Sequence, residues 1–358
     1  MERTAGARDP AIVLALAFFQ MSLREALEKV LGRADLSADE ASGALQEIVS
    51  GDVPPSMISA FLIALRMKGE SATEIAGFAQ TMRDNAVPVR PKATGLVDTC
   101  GTGGDGTRTA NISTTAAFVV AGAGHPVAKH GNRALSSSSG SADVLEVLGV
   151  RIDIGADQVA QCIDEAGIGF IFAPAFHPAM ATVMPVRKEL GVRTAFNILG
   201  PLTNPARPSF QLVGVGHPDL AGLVAGALAE LGTERAVVVA GAGGPDELTC
   251  AGPNVVLTVE NGSVTRTETS AADVDLDENV LDAIRGGDPS ENAELLRAVL
   301  EGKPGPVTDC VVFNAGAALV AAGSASDLRD GVNTARDVIG KGDALAALDR
   351  LVALCATF

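Results

Sequence analysis

The sequence feature that most constrains the fold is a glycine loop between a predicted strand and a predicted helix. The loop, Asp98-Thr-Cys-Gly-Thr-Gly-Gly-Asp-Gly106, contains four glycines within six residues. A polar run, Thr109–Thr115, and the apolar, helix-length segment Ala116–Ala123 follow it. Glycine permits positive φ and lets backbone N–H groups approach a ligand, and N–H groups beside a helix N-terminus bind phosphate oxygens. This order of elements therefore predicts a phosphate site in an α/β fold.

The glycine loop does not match the two common nucleotide-binding patterns. A Walker A loop would end in Gly-Lys-Ser/Thr, whereas Gly104 is followed by Asp105. A dinucleotide fingerprint would have the spacing G-x-G-x-x-G, whereas the spacing here is G-x-G-G-x-G. A flexible turn is the usual interpretation of isolated glycines. It is disfavoured here because a predicted strand and a Thr/Asn/Ser/Thr cluster frame all four.

A second polar cluster follows the next predicted strand. It begins with Lys129-His-Gly-Asn-Arg133, continues through the serine run Ser136–Ser139, and precedes a helix predicted to start near Ala142. Polar turns after successive parallel strands lie side by side at the carboxyl edge of a sheet, where open α/β folds bind ligands. Lys129 and Arg133 bring positive charge and the serines bring hydroxyl groups. The residues alone therefore predict a polyphosphate site.

Two adjacent carboxylates follow a further predicted strand. Asp246 and Glu247 follow a different glycine-containing loop, Gly241–Pro245, which comes after the apolar run Ala236–Ala240. Such a pair is usually a solvated surface feature, but this one ends a loop at the same predicted edge of the sheet. Two hard oxygen donors suit Mg²⁺, which binds few carboxylates together with substrate phosphates. The sequence therefore predicts a magnesium site here.

The N-terminal part of the chain is predicted to be helical. Ser37-Ala-Asp-Glu40 and Ser71-Ala-Thr-Glu74 are capping boxes that begin helices. Pro54-Pro55 begins another helix, whose apolar stripe indicates a core or a dimer interface. Pro88–Thr94 is a predicted linker. We expect a helical domain over residues 21–90 and an α/β domain over residues 91–358.

From residue 96 onwards, predicted strands alternate with predicted helices. This alternation predicts a mostly parallel sheet that is covered by helices. The predicted strands are Leu96–Thr99, Val127–Lys129, Ile168–Phe172, Gln211–Val215, Ala236–Ala240 and Val255–Val259, with an antiparallel Ser263–Thr267 after the turn at Asn261-Gly262. The predicted helices among them are Asp157–Ala166, Pro178–Leu190 and Leu220–Leu231.

Net charge and cysteine pattern indicate which partners and which compartment to expect. The net charge of −16 argues against nucleic acid as the main partner, because such proteins present a basic surface. The five cysteines form no C-x-x-C pair, which indicates reduced thiols in a cytoplasmic protein.

Ala11–Phe19 is apolar but too short to span a bilayer, and it lacks a small-residue cleavage site. We interpret residues 1–20 as a non-native or disordered extension.

The motifs occur in the order and spacing of a known family. From about Met21 to the C-terminus, the sequence resembles anthranilate phosphoribosyltransferase, an enzyme of tryptophan biosynthesis. The motifs that carry the resemblance are Gly101-Thr-Gly-Gly-Asp-Gly106, Asn111-Ile-Ser-Thr114, Lys129-His-Gly-Asn132, Ser139-Gly-Ser-Ala-Asp143, Arg187, Asn197-Ile-Leu-Gly-Pro-Leu-Thr-Asn-Pro205 and Asp246-Glu-Leu-Thr249. The resemblance implies a helical domain and a larger α/β domain of the nucleoside phosphorylase/phosphoribosyltransferase type. It also implies a homodimer that pairs through the helical domain.

The resemblance implies a reaction and two substrate sites. The phosphoribosyl group of 5-phosphoribosyl 1-pyrophosphate would move to the amine of anthranilate. Phosphoribosyl pyrophosphate would contact Gly101, Gly104, Asp105, Thr109, Asn111, Ile112, Ser113, Thr114, Lys129, His130, Gly131, Asn132, Arg133, Ala134, Leu135, Ser136, Ser137 and Ser141. Anthranilate would contact Gly101, Asn132, His177, Arg187 and Pro201. Ser138 stands where many members of the family carry lysine, so one positive contact to the phosphates is missing or replaced.

The resemblance also implies how catalysis works. Two Mg²⁺ ions per monomer would be held by Ser113, Asp246 and Glu247 on the pyrophosphate. Catalysis would then consist of positioning and metal assistance, with no certain catalytic side chain. His130 is a candidate general base, but an aniline-type amine is largely unprotonated at pH 7 and hardly needs one.

Two alternatives remain open at the level of the sequence. A pyrimidine nucleoside phosphorylase shares the two-domain plan, but it should carry a lysine- and serine-rich phosphate loop in place of Gly101–Gly106. A non-catalytic relative that binds nucleic acid is the second alternative. The acidic net charge and the Asp246-Glu247 pair both argue against it.

Overall fold

Four helices form the N-terminal part of the fold, and serine caps begin three of them. The computed structural model describes residues 21–134 and 139–358, so the predicted extension and its apolar run Ala11–Phe19 lie outside the described residues. The four helices are α1 (Leu23–Leu31), α2 (Ala38–Ser50), α3 (Pro55–Lys68) and α4 (Ala72–Asp84). The capping boxes predicted at Ser37 and Ser71 are confirmed. A third box, formed by Ser22 and Glu25, begins α1 and was not predicted.

A seven-stranded sheet forms the centre of the larger part. Its strands are β1 (Val97–Gly101), β2 (Val127–Gly131), β3 (Ile168–Phe172), β4 (Phe210–Gly214), β5 (Arg235–Ala240), β6 (Asn254–Glu260) and β7 (Ser263–Thr269). Their spatial order is β3-β2-β1-β4-β5-β6-β7. The first five run parallel, and β6 and β7 are antiparallel. All seven predicted strands and the mostly parallel sheet are confirmed.

Helices cover both faces of the sheet. They are α5 (Ile112–Gly122), α6 (Ser141–Val147), α7 (Ala156–Ala166), α8 (Ala173–Phe176), α9 (Met180–Leu190), α10 (Phe196–Leu199), α11 (Pro218–Glu230), α12 (Pro289–Leu300), α13 (Pro306–Ala321), α14 (Leu328–Gly340) and α15 (Asp343–Cys355). One apolar core joins the sheet to α5, α7, α13 and α15. A second core joins the opposite face to α1–α4 and α11, so the apolar stripe of α3 lies in this core. Leu212 and Val213 lie in different cores because neighbouring side chains of a strand point to opposite faces.

Some helix boundaries differ from the predictions. Helix α5 begins at Ile112, four residues before the predicted Ala116, so Ser113 and Thr114 lie within its first turn. Asn111 occupies the N-cap position, but its side chain makes no capping hydrogen bond. Its Oδ1 instead accepts from Asn292, 2.8 Å away on α12. The polar run therefore starts the helix instead of preceding it.

A search of residues 21–134 and 139–358 for a helix with the length and hydropathy of a membrane span finds none.

Two glycines let the loop after β5 fold against the ends of β1 and β4. A Cβ on Gly101 would lie 2.2 Å from Oδ2 of Asp246, and a Cβ on Gly214 would lie 1.4 Å from its carbonyl oxygen. The clash at Gly214 is with backbone atoms, so this position requires glycine, whereas a Cβ on Gly101 would displace the carboxylate of Asp246. The carboxyl ends of β1, β2 and β5 and the loops that follow them consequently meet at one edge of the sheet, as predicted for parallel strands.

Candidate active site

The first cavity at this edge is polar and has a volume of about 330 Å³. It lies between the glycine loop, the start of α5, the loop after β2 and the loop after β5. The residues predicted for phosphoribosyl pyrophosphate and magnesium that line it are Gly101, Gly104, Asp105, Thr109, Asn111, Ser113, Thr114, Lys129, His130, Gly131, Asn132, Arg133, Ala134, Ser141, Asp246 and Glu247. Ile112 does not line it, because its side chain is fully buried in the first core. Leu135, Ser136, Ser137 and Ser138 lie outside the described residues.

Three carboxylates crowd one wall of this cavity. Oδ2 of Asp246 accepts from the N–H of Gly103 at 2.7 Å, and Oε2 of Glu247 accepts from the hydroxyl of Thr109 at 2.9 Å. Burial and then the negative charge of Asp105 raise the pKa of Asp246 to about 6. Burial and then the charge of Asp246 raise the pKa of Glu247 well above its ordinary value. Such a cluster is electrostatically unfavourable until a cation or a proton neutralises it.

The chemistry of this cluster fits Mg²⁺. In the described part of the chain, no group of three or more His, Cys, Asp or Glu side chains could hold a metal by itself. Mg²⁺ does not need such a cage, because it keeps several waters and binds one or two carboxylates together with substrate phosphates. Asp246 and Glu247 supply those carboxylates, and Ser113 lines the same cavity. The pair is thus not the solvated surface feature that adjacent carboxylates usually form.

The charge of Lys129 is partly offset within the protein by the nearby carboxylate of Asp98, although the two form no direct ion pair. The Lys129 ammonium donates to the carbonyl oxygen of Thr99 at 2.6 Å, and burial lowers its pKa while the nearby charge of Asp98 raises it. The carboxylate of Asp98 accepts from the backbone N–H of His130 and from the side chain of Asn204. Sequence reasoning missed this role of Asp98 and Asn204, although both lie in the motifs it quoted. Lys129 therefore brings less positive charge to the cavity than predicted.

Arg133 is paired with carboxylates. Its guanidinium bridges the carboxylates of Asp143 and Glu146 on α6 and lies 5.7 Å from the ring centroid of Phe172. These two carboxylates raise the pKa of Arg133. Arg133 lines the polar cavity, but two carboxylates of α6 share the positive charge predicted for it. Backbone N–H groups, cations from solution and Arg108 must provide most of the attraction for a polyphosphate. Arg108 lines this cavity, is exposed, and has no carboxylate partner among the described residues.

A second cavity, of about 430 Å³, adjoins the first and is mostly apolar. It is lined by Met82, Ala173, Pro174, Pro178, Met180, Ala181, Met184, Phe196, Leu199, Gly200 and Thr203, together with His130, Asn132, His177 and Arg187. His130 and Asn132 line both cavities. Of the residues predicted for anthranilate, Asn132, His177 and Arg187 meet here. Gly101 lines the first cavity, and Pro201 is buried in a short 3₁₀ helix beside this one.

Arg187 carries a charge that no described carboxylate neutralises. Its guanidinium lies 5.6 Å from the ring centroid of Phe196, and its one side-chain hydrogen bond goes to Sδ of Met184 at 3.8 Å. Burial lowers its pKa. A partly buried cation without an anion is costly. The position therefore differs from that of a solvent-facing helix arginine, and the cavity is suited to a small apolar anion.

Hydrogen bonds define the tautomers of His130, which lines both cavities, and of His177, which lines the apolar one. Nδ1 of His130 lies 3.2 Å from the carbonyl oxygen of Gly200, which can only accept, so Nδ1 carries the proton. Nε2 of His130 is then an acceptor, and Nε2 of His177, 3.3 Å away, carries the proton between them. Nδ1 of His177 is buried and has no partner in the described residues. It is thus left as an acceptor.

Both histidines should be neutral at pH 6. Burial and then the charge of His177 lower the pKa of His130 to about 3, and burial lowers the pKa of His177 to about 4. ¹⁵N NMR of labelled protein should show His130 as the Nδ1–H tautomer and His177 as the Nε2–H tautomer. Unfolded histidine binds a proton near pH 6.5, so the free energy of unfolding should fall as the pH drops from about 6.5 to about 4. A ring that titrates above pH 6 would contradict this assignment. A base this weak also argues against His130 as a general base.

Comparison with known proteins places this geometry in a family. The pattern of the "Glycosyl transferase family, a/b domain" matches residues 93–345, and that of the "Glycosyl transferase family, helical bundle domain" matches residues 24–86. The chain is 54% identical over 336 residues to the anthranilate phosphoribosyltransferase of Chloroflexus aurantiacus, covering 93% of this chain and 99% of that one. It is 53% identical over 334 residues to that of Roseiflexus sp. (strain RS-1), covering 93% and 98%.

Solved structures of this family share the fold. The anthranilate phosphoribosyltransferase of Thermus thermophilus superposes with a TM-score of 0.88 at 44% identity, covering 92% of this chain and 99% of that one. The Saccharomyces cerevisiae enzyme in complex with phosphoribosyl pyrophosphate and Mg gives a TM-score of 0.85 at 29% identity, covering 94% and 98%. The yeast enzyme with 4-fluoroanthranilate gives a TM-score of 0.83 at 27% identity, with the same coverage.

Proposed function

This chain belongs to the anthranilate phosphoribosyltransferase family, and on that basis we propose that its two adjoining cavities bind the two substrates of the reaction. The chain transfers the phosphoribosyl group of phosphoribosyl pyrophosphate to the amine of anthranilate, which gives N-(5-phosphoribosyl)anthranilate and pyrophosphate in tryptophan biosynthesis. The observation that carries the site assignment is the pairing of a polar cavity at a glycine loop with an apolar cavity that holds one uncompensated arginine.

The polar cavity is proposed to bind phosphoribosyl pyrophosphate. Its backbone donors come from the glycine loop and from the N-terminus of α5, where unpaired N–H groups favour anions. The end of β2 and the loop after it, from Lys129 to Arg133, would surround the ribose and the 5-phosphate. Leu135, Ser136 and Ser137 are proposed from the resemblance alone.

The apolar cavity is proposed to bind anthranilate. Its walls would contact the ring, Arg187 would bind the carboxylate, and Asn132 lies where the two cavities meet. The unpartnered Nδ1 of His177 is a buried acceptor in the same cavity. Gly101 and Pro201 lie beside the cavity rather than on its wall, so their part in binding anthranilate is proposed from the resemblance.

We propose that Asp246, Glu247 and Ser113 hold two Mg²⁺ ions per monomer. A yeast relative was solved with phosphoribosyl pyrophosphate and Mg, and the crowded carboxylates described above suit a divalent cation. When bound, Mg²⁺ would neutralise negative charge on the pyrophosphate. Thr109 would orient Glu247, and Gly103 would orient Asp246, through the hydrogen bonds already described.

Catalysis by these residues consists of positioning and charge stabilisation. The bond between C1 of the ribose and the pyrophosphate breaks as the anthranilate nitrogen forms its bond to C1, and the transition state is oxocarbenium-like. The nitrogen then loses one proton to water or to the departing pyrophosphate. The adjoining cavities would hold the two reactants as neighbours, which removes much of the entropic cost of their encounter. Backbone N–H groups of the loop would stabilise the departing pyrophosphate. No covalent intermediate with the protein is required.

The reaction can be followed through the fluorescence of anthranilate. We expect the signal to fall when phosphoribosyl pyrophosphate and Mg²⁺ are both present, and to stay constant when either is omitted. A constant signal together with phosphorolysis of thymidine or uridine would instead indicate a pyrimidine nucleoside phosphorylase.

We further propose a homodimer that pairs through the helical domain, residues 21–90, of a protein that works in the cytoplasm. Leu31 on α1 and Met67 on α3 are 60% and 72% exposed, although the two helices pack together. An interface between two copies would bury both of these large apolar side chains. All five cysteines are free and buried, as expected in a reducing compartment.

Removal of this apolar surface should separate the dimer. In light scattering, the wild-type protein should show about twice the 36.2 kDa mass of one chain. A Leu31→Glu/Met67→Glu variant should show a single chain at micromolar concentration, because two buried charges would oppose association. Val264→Glu, at an exposed position on the edge strand β7, is the control and should leave the mass unchanged. A double variant that stays dimeric would place the interface elsewhere.

A further inference from the structure

Arg193 contacts the glycine loop from outside the polar cavity. It lies between α9 and α10, is exposed, and lines neither cavity. Its guanidinium donates to the carbonyl oxygen of Gly104 at 3.1 Å and reaches that of Gly103 at 3.5 Å. Both acceptors belong to the loop that is proposed to bind pyrophosphate. Arg193 therefore acts on the backbone of this loop and not on the cavity itself.

The contact fixes the direction of two peptide groups. In a trans peptide, the C=O and the following N–H point in opposite directions. Carbonyls of Gly103 and Gly104 that face Arg193 consequently turn the N–H groups of Gly104 and Asp105 away from it. In the described residues neither N–H has a hydrogen-bond acceptor, although both residues line the cavity. Two such neighbouring donors form an anion-binding concavity.

The loop cannot hold this orientation through its own conformational preferences. Gly103 and Gly104 have φ values of 64° and 68°, a region that glycine enters and leaves at little cost. One anchor on the loop is the bond from the N–H of Gly103 to Asp246 at 2.7 Å. That anchor does not fix the peptides after Gly103 and Gly104. If these peptides flipped, their carbonyl oxygens would face the pyrophosphate and repel it.

A second arginine holds Arg193 in place. Arg66, in the last turn of α3, donates a hydrogen bond from its guanidinium to the carbonyl oxygen of Arg193. Arg66 lines neither cavity. The contacts thus run from the helical domain, through Arg66 and Arg193, to the glycine loop. They join three segments that are far apart in the sequence.

We propose that Arg193 is a positioning residue for phosphoribosyl pyrophosphate: it turns the peptides of Gly103 and Gly104 so that the next two N–H groups point at the pyrophosphate, and Arg66 holds it in that position. The inference rests on the proposed function of the polar cavity. It assigns a role to two residues that touch neither substrate.

Steady-state kinetics of Arg193→Gln tests the proposal. We expect the KM for phosphoribosyl pyrophosphate to rise about tenfold, roughly the effect of one charge-assisted hydrogen bond, with the KM for anthranilate within twofold of normal. Arg193→Lys should recover part of the loss, because an ammonium can bond one of the two carbonyls. Arg66→Gln should shift the same KM in the same direction by a smaller factor. In the double variant Arg66→Gln should add nothing, since the two residues act in series.

The control is Arg207→Gln. Arg207 also joins the helical bundle to the sheet domain, through an exposed ion pair with Asp84 at 2.6 Å. The substitution Arg207→Gln should leave both KM values unchanged. A KM for phosphoribosyl pyrophosphate within twofold of normal in Arg193→Gln, or an equal rise for both substrates, would overturn the proposal. An effect of Arg193→Gln with a silent Arg66→Gln would overturn the part of the proposal that assigns a role to Arg66. Failure of the proposed function is distinct, because the wild-type enzyme would then not consume anthranilate.

Discussion

Asp246→Asn and Glu247→Gln should each lower turnover by about a hundred- to a thousandfold, the range for loss of one group that stabilises developing charge. Each substitution keeps the shape of the side chain and removes one negative oxygen donor for Mg²⁺. Half-maximal activity should therefore require a higher Mg²⁺ concentration, which a titration of the initial rate with MgCl₂ measures. A magnesium titration that is unchanged in both variants would refute the metal assignment.

The same substitutions should stabilise the metal-free protein. Because the pKa of Asp246 is raised to about 6, the folded state binds more protons than the unfolded state between about pH 4 and pH 6. The free energy of unfolding therefore decreases as the pH rises through this window. Asp246→Asn removes the charge, so its Tm in EDTA at pH 7.5 should exceed that of the wild type. Asp337→Asn, on the outer face of α14, is the control and should change neither Tm nor the magnesium titration. A lower Tm for Asp246→Asn would show that repulsion among the carboxylates does not destabilise the metal-free protein.

Arg187→Gln should raise the KM for anthranilate by about ten- to a hundredfold and leave the KM for phosphoribosyl pyrophosphate nearly fixed. An apolar cavity alone gives a small aromatic acid little binding energy, and the carboxylate must meet a cation once water is excluded. A charge-assisted hydrogen bond contributes about 1.5–3 kcal/mol net, which corresponds to roughly that factor in affinity. Arg187→Lys should recover only part, because a point charge cannot reproduce the bidentate fork.

The neighbouring Lys188 supplies the control for Arg187. It lies on the same helix, is exposed, and does not line the cavity. Lys188→Gln should therefore leave both KM values unchanged. If the KM for phosphoribosyl pyrophosphate rises in Arg187→Gln and that for anthranilate does not, Arg187 belongs to the other half of the site. Near-normal values for both substrates would mean that the guanidinium is merely solvated.

The strands and the site edge could be predicted because their causes are local. Apolar runs bounded by glycine and polar residues mark most of the strands, and the turn at Asn261-Gly262 marks the antiparallel β7. Parallel strands bring their carboxyl ends together whatever the details of packing. The loops after β1, β2 and β5 could therefore be joined into one site from the sequence alone. The start of α5 lies earlier than predicted because the polar residues from Asn111 to Thr115 have the composition of a loop.

Contacts between distant segments could not be predicted. Nothing in the sequence near Arg193 indicates that it bonds to a loop about ninety residues earlier. Likewise, the pairing of Arg133 with α6 and the placing of Asp98 near Lys129 depend on how the loops fold. The cysteines are scattered in the sequence, yet the thiols of Cys162 and Cys355 lie close enough to shift each other's pKa. Such contacts follow from the packing of the whole chain.

The close approach of the Asp246 loop to Gly101 and Gly214 has a consequence for the order of folding. The bond from Gly103 to Asp246 joins residues 143 positions apart, and it needs β1, β4 and β5 already side by side. Contacts between such distant residues carry the largest loop-closure cost and form late. A refolding chain should therefore recover its helical signal before it can bind magnesium. The proposed site is then among the last parts of the molecule to form, so activity reports that β1, β4 and β5 have assembled.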